Sequence, residues 1–349
     1  MAQNFIIRAG TKALQHIRNS GLSPQDISCI PAAAGGPKWI VLYAFDKYFL
    51  REWISKKHTA TNLVGASAGA WRMLCYALDQ PEQALSAFLH AYVEQRYQEL
   101  PPPSVVSQNV IDILNQILAT SSKEGMWKAD LKRLYVISSQ SSFKLRSGSS
   151  YKKEFGTMAM KNLVARSFLK ADLRRIVFTN SPHKPLVEDA FHTNYVRFTK
   201  DNLIPALQST GTLPIYMEPV SNVPEVDGLL WDGALIDYHI CHQYQDEGLV
   251  FYPHFTDQLI PGWFDKFVPW RKFAGPFKDR MIVISPSKSF VQALPDQKTP
   301  DREDFNRYFD NNEQRIQNWY EVAKRGEDLA EEFDRLYKSG ALVDHVRPL

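Results

Sequence analysis

The chain has 349 residues, of which 44% are hydrophobic and 23% are charged, and its formal net charge is +3. This hydrophobic content excludes an intrinsically disordered chain, and the small net charge without a long basic run argues against a nucleic-acid-binding protein. The length is sufficient to bury a large core.

Strand and helix patterns alternate along the first part of the chain, which favours an α/β sheet. A short apolar strand at 27–30 runs into the small residues 32–36, and Pro37 suits the first position of the helix that follows. We predict that this helix extends from 39 to 53. A second strand at 62–64 then leads into a glycine-containing turn.

Gly65-Ala66-Ser67-Ala68-Gly69 follows this second strand and fits the pattern G-x-S-x-G. The pattern places a serine on a sharp turn from strand to helix, where small flanking residues are needed because the backbone is strained. The serine hydroxyl would lie at the N-terminus of the next helix, where free N–H groups favour developing negative charge. We interpret Ser67 as an acyl-transfer nucleophile with Gly65 and Gly69 shaping the turn. The alternative is a packing turn of small residues.

The rest of the chain continues the alternation. Helices are predicted at 81–97 and 105–118, and three prolines at 101–103 separate them. The charged, periodic tail at 302–338 is predicted to be a peripheral helical extension of a single domain that spans 1–349. Further strands are predicted at 134–137, 176–178, 195–198, 229–231, 250–252 and 281–284.

Gly35 and Gly36 lie between a strand and a helix, about 30 residues before Ser67. One strand–helix–strand unit fits in that interval, so both loops are expected at the same edge of the sheet. Glycines there let the backbone approach a substrate and direct N–H groups at an oxyanion. Because Pro37 has no N–H, the donors are expected to come from Gly35, Gly36 or Lys38. The alternative is a plain tight turn.

A serine nucleophile needs a group that accepts its proton. Asp232 ends the predicted strand 229–231 and precedes a Gly-Ala turn, so its carboxylate would lie at a strand end. Such a carboxylate can accept the serine proton and then activate water for deacylation. His345, late in the chain, is an alternative base in a Ser-His-Asp arrangement. Asp227, at a predicted hairpin turn, is a rival carboxylate. Asp232 could also be a structural turn residue.

These segments, in this order, resemble the patatin-like phospholipase family. That family pairs a loop of form D-G-G-G-x-[RK]-G with a G-x-S-x-G turn and a late D-G-[GA]. The corresponding segments here are 33–39, 65–69 and 232–234, and segment 206–216 resembles the family's small-residue helix end. The resemblance covers about 25–240. It implies a modified α/β-hydrolase fold, a three-layer sandwich around a mostly parallel central sheet with C-terminal helices.

The resemblance also implies a chemistry. Ser67 would be the nucleophile and Asp232 the base of a dyad without histidine, while Gly35, Gly36 and Lys38 would line the oxyanion hole. The substrate would be a lipid or another acyl ester, and neither a cofactor nor a metal would be needed.

The chain departs from the family pattern in its glycine loop. Ala33, Ala34 and Trp39 stand where the family has aspartate, glycine and glycine. The chain therefore resembles a divergent member whose substrate need not be a phospholipid. The alternatives are an esterase or acyltransferase that uses one of the histidines, and a non-catalytic lipid-binding relative.

Segment 259–277 mixes aromatic and basic residues, a composition that suits a bilayer interface. We predict that Trp263 and Trp270 contact a membrane or cover an acyl groove, the alternative being aromatic anchors on the core. Arg72 could meet a head-group phosphate or form an ion pair, and Trp39 could narrow the acyl site or pack under its helix. The segment contains Trp263, Phe264, Lys266, Phe267, Trp270, Arg271, Lys272, Phe273 and Phe277, and Lys278 follows it directly.

Cys29, Cys75 and Cys241 are scattered, which argues against a disulfide framework and a zinc site. The N-terminus lacks the order of a signal peptide, and no segment approaches the ~18 uncharged apolar residues of a membrane span. We expect a cytoplasmic protein that contacts membranes at most peripherally. Secretion without a cleaved signal stays open, and the sequence does not indicate which protein partner, if any, the chain has.

Overall fold

A computed structural model describes residues 3–122, 124–128, 130–144, 151–271 and 275–349. Within these ranges the strands form one mixed sheet, and each strand predicted from the sequence is present. The strands are β1 (Phe5–Ala9), β2 (Ile27–Ala32), β3 (Thr61–Ala66), β4 (Lys132–Ser141), β5 (Leu173–Thr179), β6 (Thr193–Arg197), β7 (Leu229–Asp232), β8 (Leu249–Pro253), β9 (Met281–Pro286) and β10 (Val346–Pro348).

The sheet has the order β10-β1-β9-β8-β2-β3-β4-β5-β6. Its centre, β9-β8-β2-β3-β4, is parallel throughout. Antiparallel pairs join β1 to β9 and β4 to β5. The long strand β4 pairs with β3 over its first six residues and with β7, antiparallel, over its last four. The mostly parallel sheet predicted from the sequence is therefore confirmed.

Helices flank the sheet. The segment predicted as one helix from 39 to 53 is a 3₁₀ helix followed by α2. The α-helices are α1 (Thr11–Ser20), α2 (Tyr43–Glu52), α3 (Ala68–Ala77), α4 (Pro81–Val93), α5 (Pro103–Leu118), α6 (Glu124–Lys128), α7 (Lys152–Val164), α8 (Leu203–Ser209), α9 (Ala234–Asp237), α10 (Lys288–Gln292), α11 (Glu303–Arg307), α12 (Asn312–Lys338) and α13 (Leu342–His345). The 3₁₀ helices are Pro24–Asp26, Gly36–Leu42, Ile54–Lys56, Arg166–Ala171, Trp263–Phe267, Pro276–Lys278 and Pro295–Gln297.

The buried residues form two clusters, which meet at β7, where neighbouring strand residues face opposite sides of the sheet. In β7, Leu230 belongs to the main core, whereas Leu229 and Trp231 belong to a second cluster. Trp231 makes edge contacts there with Tyr151 and Phe155, at the start of α7. At β7 this alternation places α7 on the face opposite Leu230, whereas in the central strands the main core takes residues from both faces, such as Leu134 and Tyr135 of β4.

The C-terminal tail is less peripheral than the sequence predicted. Its helix α12 buries a stripe of residues in the main core and packs along α2. Phe333, for example, lies edge-on to Phe45, with ring centroids 5.4 Å apart. The high charge of the tail reflects the exposed face of an amphipathic helix, whose apolar face completes the core. Among the described helices, none is long and apolar enough to cross a membrane.

Candidate active site

Strand β4 determines how the two predicted catalytic residues meet. β3 runs parallel to β4 and places Ala66 opposite Ile137. β7 runs antiparallel and places Asp232 opposite Ser138. Because Ile137 and Ser138 are consecutive, the carboxyl ends of β3 and β7 meet along one edge of β4. Ser67, the residue after β3, therefore lies beside Asp232, although 165 residues separate them in the chain.

The Ser67 hydroxyl donates a hydrogen bond to Oδ2 of Asp232 at 2.8 Å. The other carboxylate oxygen accepts the backbone N–H of Ala234 at 2.8 Å. Ser67 and Asp232 are only 2% and 1% exposed. Burial raises the pKa of Asp232, and it does so against the lowering effects of the Arg302 charge and these two hydrogen bonds. A carboxylate with a raised pKa is the stronger proton acceptor.

The backbone of Ser67 is in a strained conformation, with φ 55° and ψ −138°. Non-glycine residues with positive φ are uncommon, and functional sites are where such strain is retained. A side chain supports the turn: the Ser67 N–H donates to Oγ1 of Thr210 at 2.9 Å, and the Thr210 hydroxyl donates to the carbonyl of Ile137. Sequence reasoning noted segment 206–216 only as a family resemblance and missed this role of Thr210.

The small residues of the turn are required by close packing. A Cβ atom at Gly69 would lie 2.5 Å from the carbonyl oxygen of Ala33, and a Cβ atom at Gly65 would lie 2.5 Å from Cα of Ala70. The N-terminus of α3 therefore sits directly against the end of β2. This packing is the physical reason for the G-x-S-x-G pattern here.

The glycine loop lies at the same sheet edge, as its spacing from Ser67 predicted. β2 and β3 are parallel, with Ala32 opposite Gly65. Gly36 has a positive φ of 57°. The backbone N–H of Lys38 donates to the carbonyl of Gly35 at 3.4 Å, so Lys38 is the least suited of the three predicted donors. Among the hydrogen bonds of the described residues, none engages the N–H of Gly35 or Gly36.

A second source of N–H groups was missed by sequence reasoning. Ala68, the residue after the predicted nucleophile, lines the cavity beside Ser67. In hydrolases with this turn, that N–H completes the oxyanion hole. The G-x-S-x-G pattern itself could have indicated this residue.

Ser67 and Asp232 lie in a cavity of about 520 Å³. Apolar side chains from α5 and from the segment after α8 form much of its wall. Three cations, Lys38, Lys266 and Arg302, also line it, and sequence reasoning missed the last two as site residues. The apolar wall contains Trp71, Val106, Val110, Ile113, Leu213 and Met217.

Comparison with known proteins places this chain in a family. The profile described as Patatin-like phospholipase matches residues 41–240, more than half of the chain. The chain belongs to the patatin-like phospholipase family. Among solved structures, the crystal structure of VipD from Legionella pneumophila is 12% identical with a TM-score of 0.33, and the alignment covers 94% of this chain and 71% of that chain. A search of curated proteins gave no match.

The patatin-like match includes Ser67 and Asp232 but not the whole cavity. It begins after Lys38 and ends before Lys266 and Arg302. The three cations of this patatin-like chain therefore come from segments that the family profile does not cover.

Two residues predicted as substrate contacts lie outside the patatin-like cavity. Trp39 is 1% exposed and stacks on Phe88, with ring centroids 4.2 Å apart, so it packs under its helix. Arg72 is buried and binds Asp46 through two hydrogen bonds of 2.9 and 2.7 Å. A guanidinium held in this way cannot reach a head-group phosphate. The ion pair is the correct alternative, although it is buried rather than on the helix surface.

The other two predicted contacts lie near the surface. Trp263 lines the cavity and is half-buried, whereas Trp270 is 70% exposed. Lys272 and Phe273 of the same segment lie outside the described residues.

No histidine lines the cavity in the part of the chain that the structure describes. His345 belongs to α13, next to the edge strand β10, and its Nδ1 lies 2.9 Å from the carbonyl oxygen of Ala341. His239 and His254 are buried, and each accepts a backbone N–H at Nδ1. Burial lowers the pKa of His254 to about 3, so its imidazole stays neutral. Asp227, the rival carboxylate, is exposed.

Proposed function

We propose that this protein is a serine acyl-ester hydrolase of lipids, with Ser67 as the nucleophile and Asp232 as the base. Membership of the patatin-like phospholipase family points to hydrolysis of lipid esters. The observation that carries the finer proposal is the 2.8 Å hydrogen bond from Ser67 to Asp232 at the floor of an apolar-walled cavity.

The proposed reaction has two half-reactions. Oγ of Ser67 attacks the acyl carbonyl carbon while Asp232 takes the hydroxyl proton. The tetrahedral intermediate then expels the alcohol, which leaves with that proton, and an acyl-serine remains. Asp232 next accepts a proton from water, whose oxygen attacks the acyl carbonyl. Collapse returns the proton to Ser67 and releases the fatty acid.

Backbone N–H groups would stabilise the oxyanion in both half-reactions. Gly35, Gly36 and Ala68 line the cavity beside Ser67. Loss of one such donor typically costs roughly 10²–10³ in rate. The N-terminus of α3 adds a favourable dipole at the same point.

We also infer that the protein contacts membranes peripherally through one surface, named here the apolar face. The 3₁₀ helix 263–267 joins this face to the active site, because its Trp263 and Lys266 line the cavity while Phe267 is 60% exposed. Arg271 donates to the backbone carbonyl of Leu163 and so ties this segment to α7. The apolar face contains Met160, Leu163, Val164, Phe168, Phe267 and Trp270, all exposed.

Vesicle flotation tests the apolar face. We expect Phe267→Ser and Trp270→Ser to weaken binding to anionic vesicles. Leu131→Ser is the matched control, because Leu131 is also exposed but precedes β4, at the sheet end opposite Ser67. Equal binding by all three variants and the wild type would refute the membrane contact.

Covalent labelling tests the catalytic proposal. A fluorophosphonate should modify Ser67, as read by peptide mass spectrometry, and Asp232→Asn should abolish the labelling. Labelling that persists in Asp232→Asn would refute Asp232 as the base. Absence of labelling in the folded wild type would favour a non-catalytic lipid-binding relative.

A further inference from the structure

Tyr92 brings a hydroxyl group to the glycine loop. The residue lies in the last turn of α4, is buried, and lines the same cavity as Ser67 and Gly36. A Cβ atom at Gly36 would lie 3.5 Å from the hydroxyl oxygen of Tyr92. The missing side chain of Gly36 therefore leaves an opening between this hydroxyl and the backbone of the loop.

Three aromatic rings fix the ring of Tyr92. It lies edge-on to Trp39 and Phe88, with ring centroids 6.3 and 5.8 Å apart. Trp319 of α12 packs against it with a centroid distance of 6.4 Å. These three neighbours are themselves buried. The packing therefore holds the hydroxyl beside the loop without a hydrogen bond that the hydroxyl donates.

The proton of this hydroxyl is available to a substrate. Among the hydrogen bonds of the described residues, none has the Tyr92 hydroxyl as its donor, whereas the Tyr92 carbonyl accepts Nε2 of Gln95 at 2.8 Å. Nε of Arg302 lies 3.0 Å from the same Cβ position at Gly36, but arginine has only donors and cannot accept the phenol proton. Burial raises the pKa of Tyr92 to about 12, so the hydroxyl keeps its proton at neutral pH.

The glycine loop offers few N–H groups to an oxyanion. Ala34 donates its N–H to a carbonyl oxygen after α9 at 2.9 Å, and the N–H of Lys38 points back to Gly35. Pro37 has no N–H, so Gly35 and Gly36 are the two donors that the loop can offer. A side chain can supply a further donor, and tyrosine is among the residues that do so in oxyanion holes.

We propose that the Tyr92 hydroxyl is a further catalytic donor, which binds the oxyanion together with the N–H of Gly36. The proposal rests on the proposed function, because the oxyanion forms only when Ser67 attacks the acyl carbonyl. The phenol proton stays on Tyr92 and no covalent bond to Tyr92 forms or breaks. Tyr92 therefore acts by hydrogen bonding alone.

The distances in the cavity are compatible with one shared oxygen. A Cβ atom lies about 2.5 Å from the nitrogen of its own residue, so the Tyr92 hydroxyl is within about 6 Å of the Gly36 nitrogen. An oxyanion held by two donors at roughly 2.7–3.1 Å each separates them by at most about 6 Å. An oxygen atom between Gly36 and Tyr92 can therefore contact both.

Tyr92→Phe tests the proposal, because it removes the hydroxyl and keeps the packed ring. We expect kcat for a small neutral ester to fall about 10²-fold, with KM changed by less than about twofold. The melting temperature should change little, since the hydroxyl donates no hydrogen bond in the unliganded protein. An unchanged kcat in the folded variant would overturn the proposal.

Tyr43→Phe is the matched control. The Tyr43 hydroxyl lies 3.0 Å from Oγ of Ser86, which belongs to α4 like Tyr92, but Tyr43 does not line the cavity. This substitution should leave kcat unchanged. An equal fall of kcat in both variants would indicate an effect of α4 packing and would also overturn the proposal.

A trifluoromethyl ketone separates the oxyanion from the leaving alcohol. Oγ of Ser67 adds to its carbonyl carbon while the hydroxyl proton passes to Asp232, which gives an anionic hemiketal that has no alcohol to expel. We expect its inhibition constant to rise about 10²-fold in Tyr92→Phe, in parallel with the fall in kcat. A lower kcat with an unchanged inhibition constant would place the hydroxyl at the leaving group and overturn the oxyanion role.

The wild type shows which of the two proposals has failed. A wild type that hydrolyses esters no faster than Tyr92→Phe would refute the role of Tyr92 and leave the hydrolase intact. A folded wild type that neither hydrolyses esters nor reacts with a fluorophosphonate would refute the hydrolase, and the catalytic role of Tyr92 with it.

Discussion

The floor and the mouth of the cavity are built in different ways. The floor, here Ser67, Thr210 and Asp232, is buried and fixed by hydrogen bonds between side chains and main chain. Ser67 and Asp232 lie at strand ends, and Thr210 directly follows α8. The mouth is formed by 3₁₀ helices and loops. It comprises Lys266, Arg302 and an exposed apolar rim. The rim contains Leu100, Ile215 and Tyr216. In the proposed function, the sheet therefore positions the reacting pair, whereas the connecting segments form the entrance through which an ester reaches it.

The largest effect is expected at the floor, from Asp232→Asn. Loss of a general base typically costs 10²–10⁴-fold, and we expect roughly 10³-fold or more in kcat/KM for neutral and anionic esters alike. Asp227→Asn is the control, because Asp227 is an exposed carboxylate near the start of β7. A loss confined to anionic esters would contradict the separation of floor and mouth.

Gly36→Ala probes the boundary between the two regions. The new alanine would have to keep a φ of 57°, and its Cβ atom would lie 3.0 Å from Nε of Arg302. We expect a loss of about 10²-fold in kcat for a small neutral ester, through displacement of an oxyanion donor. Gly21→Ala has the same kind of backbone strain, at φ 77°, without any atom within 4 Å. Gly21→Ala should lower thermal stability about as much as Gly36→Ala and leave kcat unchanged. Equal kcat values in the two variants would argue against a catalytic role of the glycine loop.

Asp232→Asn should also change stability, in the opposite direction to activity. The folded pKa of Asp232 is raised, so above that pKa the folded protein bears the cost of a buried charge that the unfolded chain does not. The variant should therefore unfold at a higher temperature than the wild type near neutral pH. This advantage should shrink as the pH falls through the raised pKa, because the wild-type carboxyl then becomes neutral as well. Thermal unfolding from pH 7 to pH 4 measures both effects, and a constant difference would refute the explanation.

The smallest effect is expected at the rim, from Ile215→Asn. Ile215 is a β-branched, exposed residue with φ 76°, a conformation that asparagine adopts more readily. We expect stabilisation of about 1 kcal/mol, measured by denaturant unfolding, with kcat for a small soluble ester unchanged. Ile204→Asn is the control, because Ile204 lies on the helix α8, and this substitution should not stabilise the protein. A loss of kcat in Ile215→Asn would show that the rim contributes to chemistry as well as to the entrance.

The sequence alone predicted the sheet and the turn that carries Ser67, because both depend on local patterns. Apolar runs of strand length indicated β2, β3 and β7, and the spacing of two glycine loops indicated parallel neighbours at one edge. The strands β1 and β10 were missed: β10 is an edge strand of three residues, and β1 lies between β10 and β9, so both depend on pairing with segments remote in the sequence. The tail was predicted as peripheral because its high charge was taken as a sign of exposure, although α12 also carries a buried apolar stripe.

The tertiary structure alone decided which distant residues share the cavity. The sequence could not place Ser67 beside Asp232 by distance, since that contact depends on the register of β3 and β7 along β4. It could not place Arg302 in the cavity, because Arg302 begins the charged tail far from any motif, and it could not tell that Arg72, beside the serine turn, is held in a buried ion pair. Secondary-structure propensity and motif spacing depend on residues that are close in the sequence. Burial and charge pairing arise only when remote segments pack together.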